Sequence, residues 1–264
     1  MSNYTGLSLD GKCALVFGGT SGLGNSIALG FAQAGADVVA VSRRGGEVKK
    51  TAAEIRALGR RTVEATADVT SRSDIQRVIN LMLGQLGRID ILVNSAGTTK
   101  RVPSVELADV DWNRILDTNL KGTWYACQMV GRVMKEQGNG RIINIASLGG
   151  LVGSYEATAY CVSKGGVVML TRSLATEWAR YNITVNALAP GVFETPLNRN
   201  IINEPGRKAS ILSRTPMRRF GNLEEIQGAA IFLASDSASF VTGEILAVDG
   251  GFLAQGIGET VVGG

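Results

Sequence analysis

Residues Cys13–Gly24 have the sequence CALVFGGTSGLG, and this stretch decides the fold class. It begins with a short apolar run, which is typical of a strand buried on both faces of a parallel sheet. A cluster of glycines follows at once, and we expect a helix to begin near Leu23. A strand that passes through a tight turn into a helix is the repeating unit of α/β proteins.

The same alternation continues along nearly the whole chain. Six further apolar runs are predicted to be strands, namely DVVAVS, TVEATAD, IDILVN, RIINIAS, ITVNALAP and EILAVDGG. Between them, Ser71–Leu86 and Asp109–Gln137 have apolar residues near helical spacing. The sequence therefore predicts an α/β fold over residues 1–264, a single doubly wound parallel-sheet (Rossmann) domain with helices on both faces.

The composition excludes several classes of protein. The chain has 264 residues and no histidine, so a Ser-His-Asp triad, a Cys-His dyad and histidine-ligated zinc are impossible. Its three cysteines, Cys13, Cys127 and Cys161, form no CxxC pair, which suits free thiols in a reducing compartment. We predict no metal site.

The charge and hydropathy patterns exclude two kinds of partner. The net charge is only +4, and no stripe of Lys and Arg with interleaved aromatics occurs, so we predict no nucleic-acid partner. The apolar runs are far shorter than the ~18 residues of a membrane span, and the N-terminus lacks the pattern of a signal peptide. We expect a cytoplasmic protein with no membrane partner.

The glycine cluster predicts a phosphate site. Gly18, Gly22 and Gly24 allow a tight turn and a close approach of the backbone to a pyrophosphate, which the free N–H groups of the next helix would bind. The spacing Gly-x-x-x-Gly-x-Gly differs from the Gly-x-Gly-x-x-Gly fingerprint. With a strand before it and a helix after it, the cluster favours a dinucleotide over an ordinary glycine-rich turn.

The end of the second predicted strand indicates which dinucleotide binds. An Asp or Glu there would accept hydrogen bonds from the ribose of NAD, whereas an Arg accommodates the 2′-phosphate of NADP. This chain has Ser42, Arg43 and Arg44 at that point. We therefore predict that NADP(H) is preferred, the alternative being two solvated arginines on a loop.

Tyr160 and Lys164 are the candidates for acid–base chemistry in a chain without histidine. Residues four apart on a helix project from one face, so both can address one site. The ordinary pKa of tyrosine is about 10, and we predict that the nearby ammonium and an oxidised nicotinamide lower it. A tyrosine with a lowered pKa is a usable general acid or base. The alternative is a buried structural pair.

These motifs, in this order, resemble those of the short-chain dehydrogenases/reductases over essentially the full length. FGGTSGLG is similar to the family's glycine loop, with Phe17 replacing the usual threonine, and NSAG at Asn94–Gly97 is similar to its Asn-Asn-Ala-Gly motif. Asn119, Ser147 and the Tyr-x-x-x-Lys of YCVSK match its remaining motifs, as does APGVFETP.

The resemblance implies a role for each catalytic candidate. Tyr160 would be the proton donor in reduction and the base in oxidation, and Ser147 would hydrogen-bond the substrate oxygen. Lys164 would also hold the nicotinamide ribose, and Asn119 would hold a water that links Lys164 to solvent. It further implies a homotetramer assembled through the helices over Asp109–Gln137 and Ala157–Arg180.

The resemblance adds further residues to those that the glycine loop and the end of the second predicted strand already indicate as cofactor contacts. Together these contacts are Gly18, Thr20, Ser21, Gly22, Leu23, Gly24, Ser42, Arg43, Arg44, Asp68, Val69, Asn94, Ala96, Gly97, Tyr160, Lys164, Pro190, Gly191, Val192 and Thr195. Ser21 stands where many NADP-dependent members carry Arg or Lys, so use of NAD(H) stays open.

The resemblance places a substrate lid over residues 192–220, and this segment is basic. Together with Arg101 after the NSAG motif, it favours an anionic small-molecule carbonyl or alcohol as substrate, because Arg binds carboxylates through paired hydrogen bonds. We expect Arg101, Ser147 and Tyr160 to contact this substrate.

The segments ATEWARYNITVNALAPGVFETP and LAVDGGFLA are most similar to the gluconate and keto-gluconate dehydrogenases. The resemblance thus implies an oxidoreductase that acts on a CH–OH group and interconverts a secondary alcohol and a ketone, on a sugar acid such as gluconate/5-keto-gluconate or on a related polyol. A 3-oxoacyl-(acyl-carrier-protein) reductase is the first alternative, because its substrate is acidic too. A non-catalytic, nucleotide-binding redox sensor is a more distant one.

Overall fold

All strands of the described chain belong to one parallel sheet. The structure, a computed structural model, describes residues 5–202 and 204–256. The strands are β1 (Cys13–Phe17), β2 (Asp37–Val41), β3 (Ile91–Asn94), β4 (Gly140–Ile145), β5 (Ile183–Pro190) and β6 (Ile245–Val248). Their order in the sheet is β2-β1-β3-β4-β5-β6, and each neighbouring pair is parallel.

Helices connect successive strands. They are α1 (Gly22–Gln33), α2 (Gly45–Ala57), α3 (Arg72–Leu86), α4 (Asp109–Leu116), α5 (Gly122–Gln137), α6 (Thr158–Trp178), α7 (Arg199–Ile202), α8 (Pro205–Ser213) and α9 (Glu225–Ala234). Helix α3 begins one residue later than predicted, because the Ser71 side chain caps it by accepting a hydrogen bond from the Asp74 N–H at 3.2 Å.

The helices cover both faces of the sheet, as the sequence predicts. In β1, Leu15 and Phe17 face one side and pack in a cluster with side chains of α3, α5 and α6. Ala14 and Val16 face the other side and pack in a cluster with α1, α2 and α9. The prediction of a doubly wound sheet is confirmed. The prediction of one domain over residues 1–264 stays a prediction, and the tail over residues 258–264 lies outside the described residues.

One predicted strand is absent from the described sheet. The segment TVEATAD, residues 62–68, forms only an isolated bridge between Ser42 and Thr66. This part of the chain runs beside the edge strand β2 and is hydrogen-bonded to it near the two ends of β2. Val38 N donates to Arg61 O, and Ala67 N donates to Ser42 O, each at 3.1 Å. These contacts are too far apart to form a ladder, so the prediction of a strand here is wrong.

The predicted helix over Asp109–Gln137 is divided by a change of helical pitch. Residues Asp117–Lys121 form a π-helical turn between α4 and α5. Such turns occur mostly as single insertions and often lie at functional sites. Asn119, one of the predicted catalytic residues, is in this turn.

The topology places a crevice at the carboxyl ends of the strands. The chain crosses from β2 at the sheet edge back past β1 to β3, so the strand order reverses between β1 and β3. Ligands of open α/β sheets bind at such a point of reversal. Among the described helices, none is long and apolar enough to cross a bilayer.

Candidate active site

A cavity of about 680 Å³ opens at this point of reversal. The predicted residues that line it are Gly18, Thr20, Ser21, Gly22, Leu23, Ser42, Arg43, Arg44, Asp68, Val69, Ala96, Gly97, Ser147, Tyr160, Lys164, Pro190, Gly191 and Thr195. The structure therefore brings together most of the cofactor residues and three of the four catalytic residues predicted from the sequence.

Three predicted cofactor residues lie behind or beside this cavity. Gly24 packs against the carbonyl of Gly18, within the glycine loop itself. Asn94 is buried, and its Nδ2 donates to Oδ1 of Asn144 on the next strand at 2.9 Å. Val192 lines a second cavity of about 300 Å³ on the other side of the chain. Their role in cofactor binding stays a prediction.

The glycine loop fits a pyrophosphate. Gly18 has a φ of 75°, and a Cβ at this position would lie 2.5 Å from the backbone N of Ala96, so no larger residue fits. The Thr20 side chain is 5% exposed, and its Oγ1 has no hydrogen-bond partner among the described residues. A buried hydroxyl that lines the cavity without a partner is the group a phosphate oxygen would satisfy.

The far end of the cavity is lined by the residues predicted to bind the 2′-phosphate. Ser42 follows β2 directly, and its Oγ accepts a hydrogen bond from Arg44 N at 3.3 Å. The Arg43 side chain is 77% exposed, and its Nη1 lies 3.7 Å from Oδ2 of Asp68. This long ion pair leaves the Arg43 guanidinium accessible to a phosphate at the cavity wall.

The catalytic candidates converge at the carboxyl end of β4. Tyr160 and Lys164 lie on α6, and the Lys164 Nζ is 5.8 Å from the centroid of the Tyr160 ring. Lys164 is buried, and its Nζ donates to the Ile145 carbonyl at 2.6 Å. Ser147 follows β4 in extended conformation, and its Oγ accepts a hydrogen bond from Gly149 N at 3.1 Å. It lines the same cavity as Tyr160. A carbonyl oxygen placed beside this phenol and hydroxyl could accept both of their protons as hydrogen bonds.

Burial governs the protonation of this pair. It lowers the pKa of Lys164 to about 8 and raises the pKa of the Tyr160 phenol above its ordinary value, and the nearby Ser147 hydroxyl opposes the second effect. The prediction that Lys164 lowers the pKa of Tyr160 is therefore wrong for the protein alone. The physical reason is that burial disfavours the phenolate and is the largest effect on this side chain, whereas the positive charge of an oxidised nicotinamide would favour the phenolate.

Asn119 supports the wall of the site from behind. It is fully buried in the π-helical turn, and its Oδ1 accepts from Thr98 N at 2.8 Å while its Nδ2 donates to Thr98 O at 2.9 Å and to Ser163 Oγ at 3.0 Å. A Cβ on Gly97 would lie 3.5 Å from Asn119 Oδ1 and 3.9 Å from Lys164 Nζ. Asn119 therefore holds in place the loop that contains Gly97 and Thr98, which lies beside Lys164. The role of Asn119 in holding a water stays a prediction.

Sequence reasoning missed part of the cavity wall. Arg114 and Thr118 line it, and Arg114 Nη1 donates to Oγ1 of Thr98 at 2.7 Å. Arg114 and Thr118 are four residues apart in the helical segment that leads to Asn119. The reasoning applied to Tyr160 and Lys164, that residues four apart share one helix face, could have found them. Other lining residues that were missed are Val41, Ala67, Ser95, Thr98, Ile145, Ala146, Phe193, Pro196, Leu197 and Asn198.

The basic side chains of the predicted lid are partly neutralised. Arg199 Nε lies 3.0 Å from Oε1 of Glu194, and Arg219 is paired with Glu225 at 2.6 Å. Arg101 is not among the residues that line the cavity. It contacts carboxylates of the lid and of the segment before α6.

Comparison with known proteins agrees with this geometry. A model of the short-chain dehydrogenase/reductase family, described as enoyl-(acyl carrier protein) reductase, matches residues 18–253. The chain belongs to this family. The short-chain dehydrogenases/reductases act on alcohol and ketone groups, and this member is accordingly an oxidoreductase.

Individual relatives match over nearly the whole length. The chain is 40% identical over 249 residues to 2-dehydro-3-deoxy-D-gluconate 5-dehydrogenase of Escherichia coli K12, covering 94% of this chain and 98% of the relative. It is 39% identical over 247 residues to 3-oxoacyl-(acyl-carrier-protein) reductase FabG of Thermotoga maritima, covering 94% and 100%.

Among solved structures, a gluconate 5-dehydrogenase from Burkholderia cenocepacia J2315, in complex with NADP and tartrate, superposes with a TM-score of 0.92. It is 38% identical, and the match covers 96% of this chain and 99% of that one. The resemblance to the sugar-acid members of the family, which the sequence motifs indicate, is confirmed by these matches.

Proposed function

We propose that this short-chain dehydrogenase/reductase uses NADP(H) to interconvert a secondary alcohol and a ketone on a sugar acid such as gluconate and 5-keto-gluconate. One observation carries the proposal. Ser147, Tyr160 and Lys164 lie in the same cavity whose other end is lined by Ser42, Arg43 and Arg44. A proton donor and a site for a charged nucleotide are thus joined by one continuous space.

The cofactor would extend between these two ends. Gly18 and Thr20 would hold the pyrophosphate, Ser42 and Arg43 the 2′-phosphate, and Lys164 the nicotinamide ribose. When bound, the cofactor supplies the hydride in reduction and accepts it in oxidation. The NADP in the Burkholderia structure supports this choice of nucleotide.

Each catalytic side chain has one role in this scheme. Tyr160 donates its proton to the carbonyl oxygen during reduction and removes it from the hydroxyl during oxidation, while Ser147 donates a hydrogen bond to the same oxygen. Lys164 is held by the Ile145 carbonyl, and Asn119 fixes the loop beside it. Lys164 and the water expected near Asn119 would return the proton to Tyr160.

The choice of substrate rests on charge and on the relatives. Arg101 and the basic lid favour an anion, and sugar-acid enzymes are prominent among the matched proteins. The Thermotoga relative supports the acyl-carrier-protein reductase as a second candidate. The complete catalytic set argues against a redox sensor, since a protein that only binds nucleotide does not need it. A homotetramer stays a prediction.

The two candidates differ in what the cavity accepts, and steady-state kinetics with NADPH separates them. We expect a higher kcat/KM for 5-keto-D-gluconate than for an acetoacetyl thioester. Arg101→Ala should raise the KM for the keto acid by about tenfold, because a charged hydrogen bond to its carboxylate is lost. Arg199→Ala, which removes a lid arginine paired with Glu194, is the matched control. A clear preference for the thioester, or an unchanged KM in Arg101→Ala, contradicts the proposal.

A further inference from the structure

Arg101 follows the cavity-lining Thr98 by three residues and lies where its own loop meets two other segments of the chain. Its Nε is 2.8 Å from Oε2 of Glu156, which precedes α6. Its Nη1 donates to Oε2 of Glu204 in the lid, also at 2.8 Å. In this arrangement the arginine predicted to bind an anionic substrate already holds two carboxylates of its own chain.

Glu156 and Glu204 differ in how their contacts and their exposure to solvent constrain them. Glu156 has a φ of 59°, in the left-handed region that residues with a Cβ adopt at a cost. Its carbonyl accepts a hydrogen bond from Val102 N at 2.9 Å, so its backbone and its side chain both tie it to the Arg101 loop. Its side chain is 20% exposed, whereas that of Glu204 is 55% exposed. Glu156 is therefore fixed by its backbone, and its carboxylate lies beside Arg101 Nε as an ion pair, since this Nε has no hydrogen-bond partner among the described residues. Glu204 accepts the hydrogen bond from Nη1, but it is the more exposed of the two and the one that a competing anion can reach.

A second guanidinium completes the cluster. Arg207 lies on α8, and burial, followed by repulsion from Arg101, lowers its pKa. Its Nε is buried and has no hydrogen-bond partner among the residues that the structure describes. A buried donor without an acceptor is unfavourable, and an additional carboxylate at this place would satisfy it.

The formal charges of these four side chains cancel. The two arginines are balanced by Glu156 and Glu204, so an approaching anion meets a neutral cluster. It gains a net attraction to Arg101 only when one carboxylate moves away. A substrate carboxylate can accept the hydrogen bond that Arg101 Nη1 donates to Oε2 of Glu204, so one carboxylate can replace the other on the same guanidinium.

We propose that Glu204 is a specificity-determining residue, which occupies the anion position on Arg101 until the carboxylate of a substrate displaces it, while Glu156 keeps Arg101 oriented. The inference rests on the proposed function in that it requires an acidic substrate. It explains how Arg101 can select anions: a neutral substrate has no group that replaces Glu204.

The two glutamates should respond in opposite directions to the same substitution. We would measure the Kd of D-gluconate by calorimetry on the protein saturated with NADPH, which cannot accept a hydride from gluconate, so no reaction contributes heat. Glu204→Gln removes the competing charge and should tighten gluconate binding about two- to fivefold, since exposed ion pairs are weak. Glu156→Gln releases Arg101 and should weaken binding by a similar factor. Glu194→Gln, a lid glutamate paired with Arg199 at 3.0 Å, is the control and should leave the Kd unchanged.

A Glu204→Gln variant that binds gluconate no more tightly than the wild type would overturn the inference. So would a shift of both variants in the same direction, which a merely structural role would produce. An absence of binding in both the wild type and Glu204→Gln counts against it as well. Failure of the proposed function looks different: 5-keto-gluconate is then not reduced, while the gluconate Kd still responds to Glu204→Gln, because binding depends on the carboxylate and not on the ketone.

Discussion

Burial shifts the protonation equilibria of Tyr160 and Lys164 toward their neutral forms, although a Lys164 pKa of about 8 leaves the ammonium as its main form at neutral pH. The pKa of the phenol is raised and that of the ammonium is lowered to about 8. In the reductive direction this suits Tyr160, because a phenol that keeps its proton is ready to donate it. In the oxidative direction the phenolate is needed, and the positive charge of an oxidised nicotinamide would favour it. The state of the cofactor would thus set the role of the tyrosine.

The first prediction concerns the Tyr160 hydroxyl. Tyr160→Phe removes only this group, so kcat should fall by about 10²–10⁴-fold, the usual contribution of a general acid. The Kd of NADPH should stay within a few-fold of the wild type. Tyr155→Phe, at a tyrosine that is 75% exposed five residues earlier, is the control and should keep full activity. Activity of Tyr160→Phe close to that of Tyr155→Phe would refute the assignment.

At the scale of elements, the site depends on how β1 passes into α1. Gly24 is buried in the first turn of α1, and a Cβ there would overlap the carbonyl of Gly18. The glycine therefore lets the loop fold back on the helix, which brings the backbone to the pyrophosphate position. The sequence indicates this element well, because the strand, the glycines and the helix are all local features.

The second prediction follows from this contact. Gly24→Ala should force the loop to move, which lowers the Tm of the protein and weakens NADPH binding by about tenfold or more. Gly84→Ala on α3 is the control, because a Cβ at Gly84 meets nothing within 4 Å. It should be neutral or stabilise the helix by up to about 1 kcal/mol. Thermal melts with and without NADPH measure both effects, and equal behaviour of the two variants would show that the close approach is unimportant.

Two elements could not be predicted from the sequence, for physical reasons that can be named. The segment over residues 62–68 alternates in hydropathy like a strand, but its hydrogen bonds to β2 depend on where two distant pieces of chain lie. The π-helical turn at Asp117–Lys121 leaves no mark in a sequence pattern, since one extra residue in a helix hardly changes the apolar spacing. The four-residue spacing of Tyr160 and Lys164, in contrast, lies within one regular helix and was predictable.

At the scale of the whole molecule, the fold gathers residues from six loops around one cavity, although most of them are far apart in sequence. The motifs predicted which residues belong to the site, because several follow strands of a parallel sheet and Tyr160 and Lys164 share one helix face. They could not predict the contacts of Arg101, because its partners Glu156 and Glu204 come from segments whose positions depend on the folded chain. What the fold adds is therefore the electrostatic environment of the site.

We propose that this cavity binds NADP(H) in preference to NAD(H), and titration of the protein with both reduced cofactors tests this preference. Nucleotide binding to the wild type, followed by fluorescence, should be about tenfold tighter for NADPH than for NADH, since a charged hydrogen bond to the 2′-phosphate is worth roughly 1.5 kcal/mol or more. Arg43→Ala should reduce this preference, whereas Arg56→Ala, which removes an exposed arginine paired with Glu64, should preserve it. Equal or tighter binding of NADH by the wild type would show that the cavity does not prefer NADP(H).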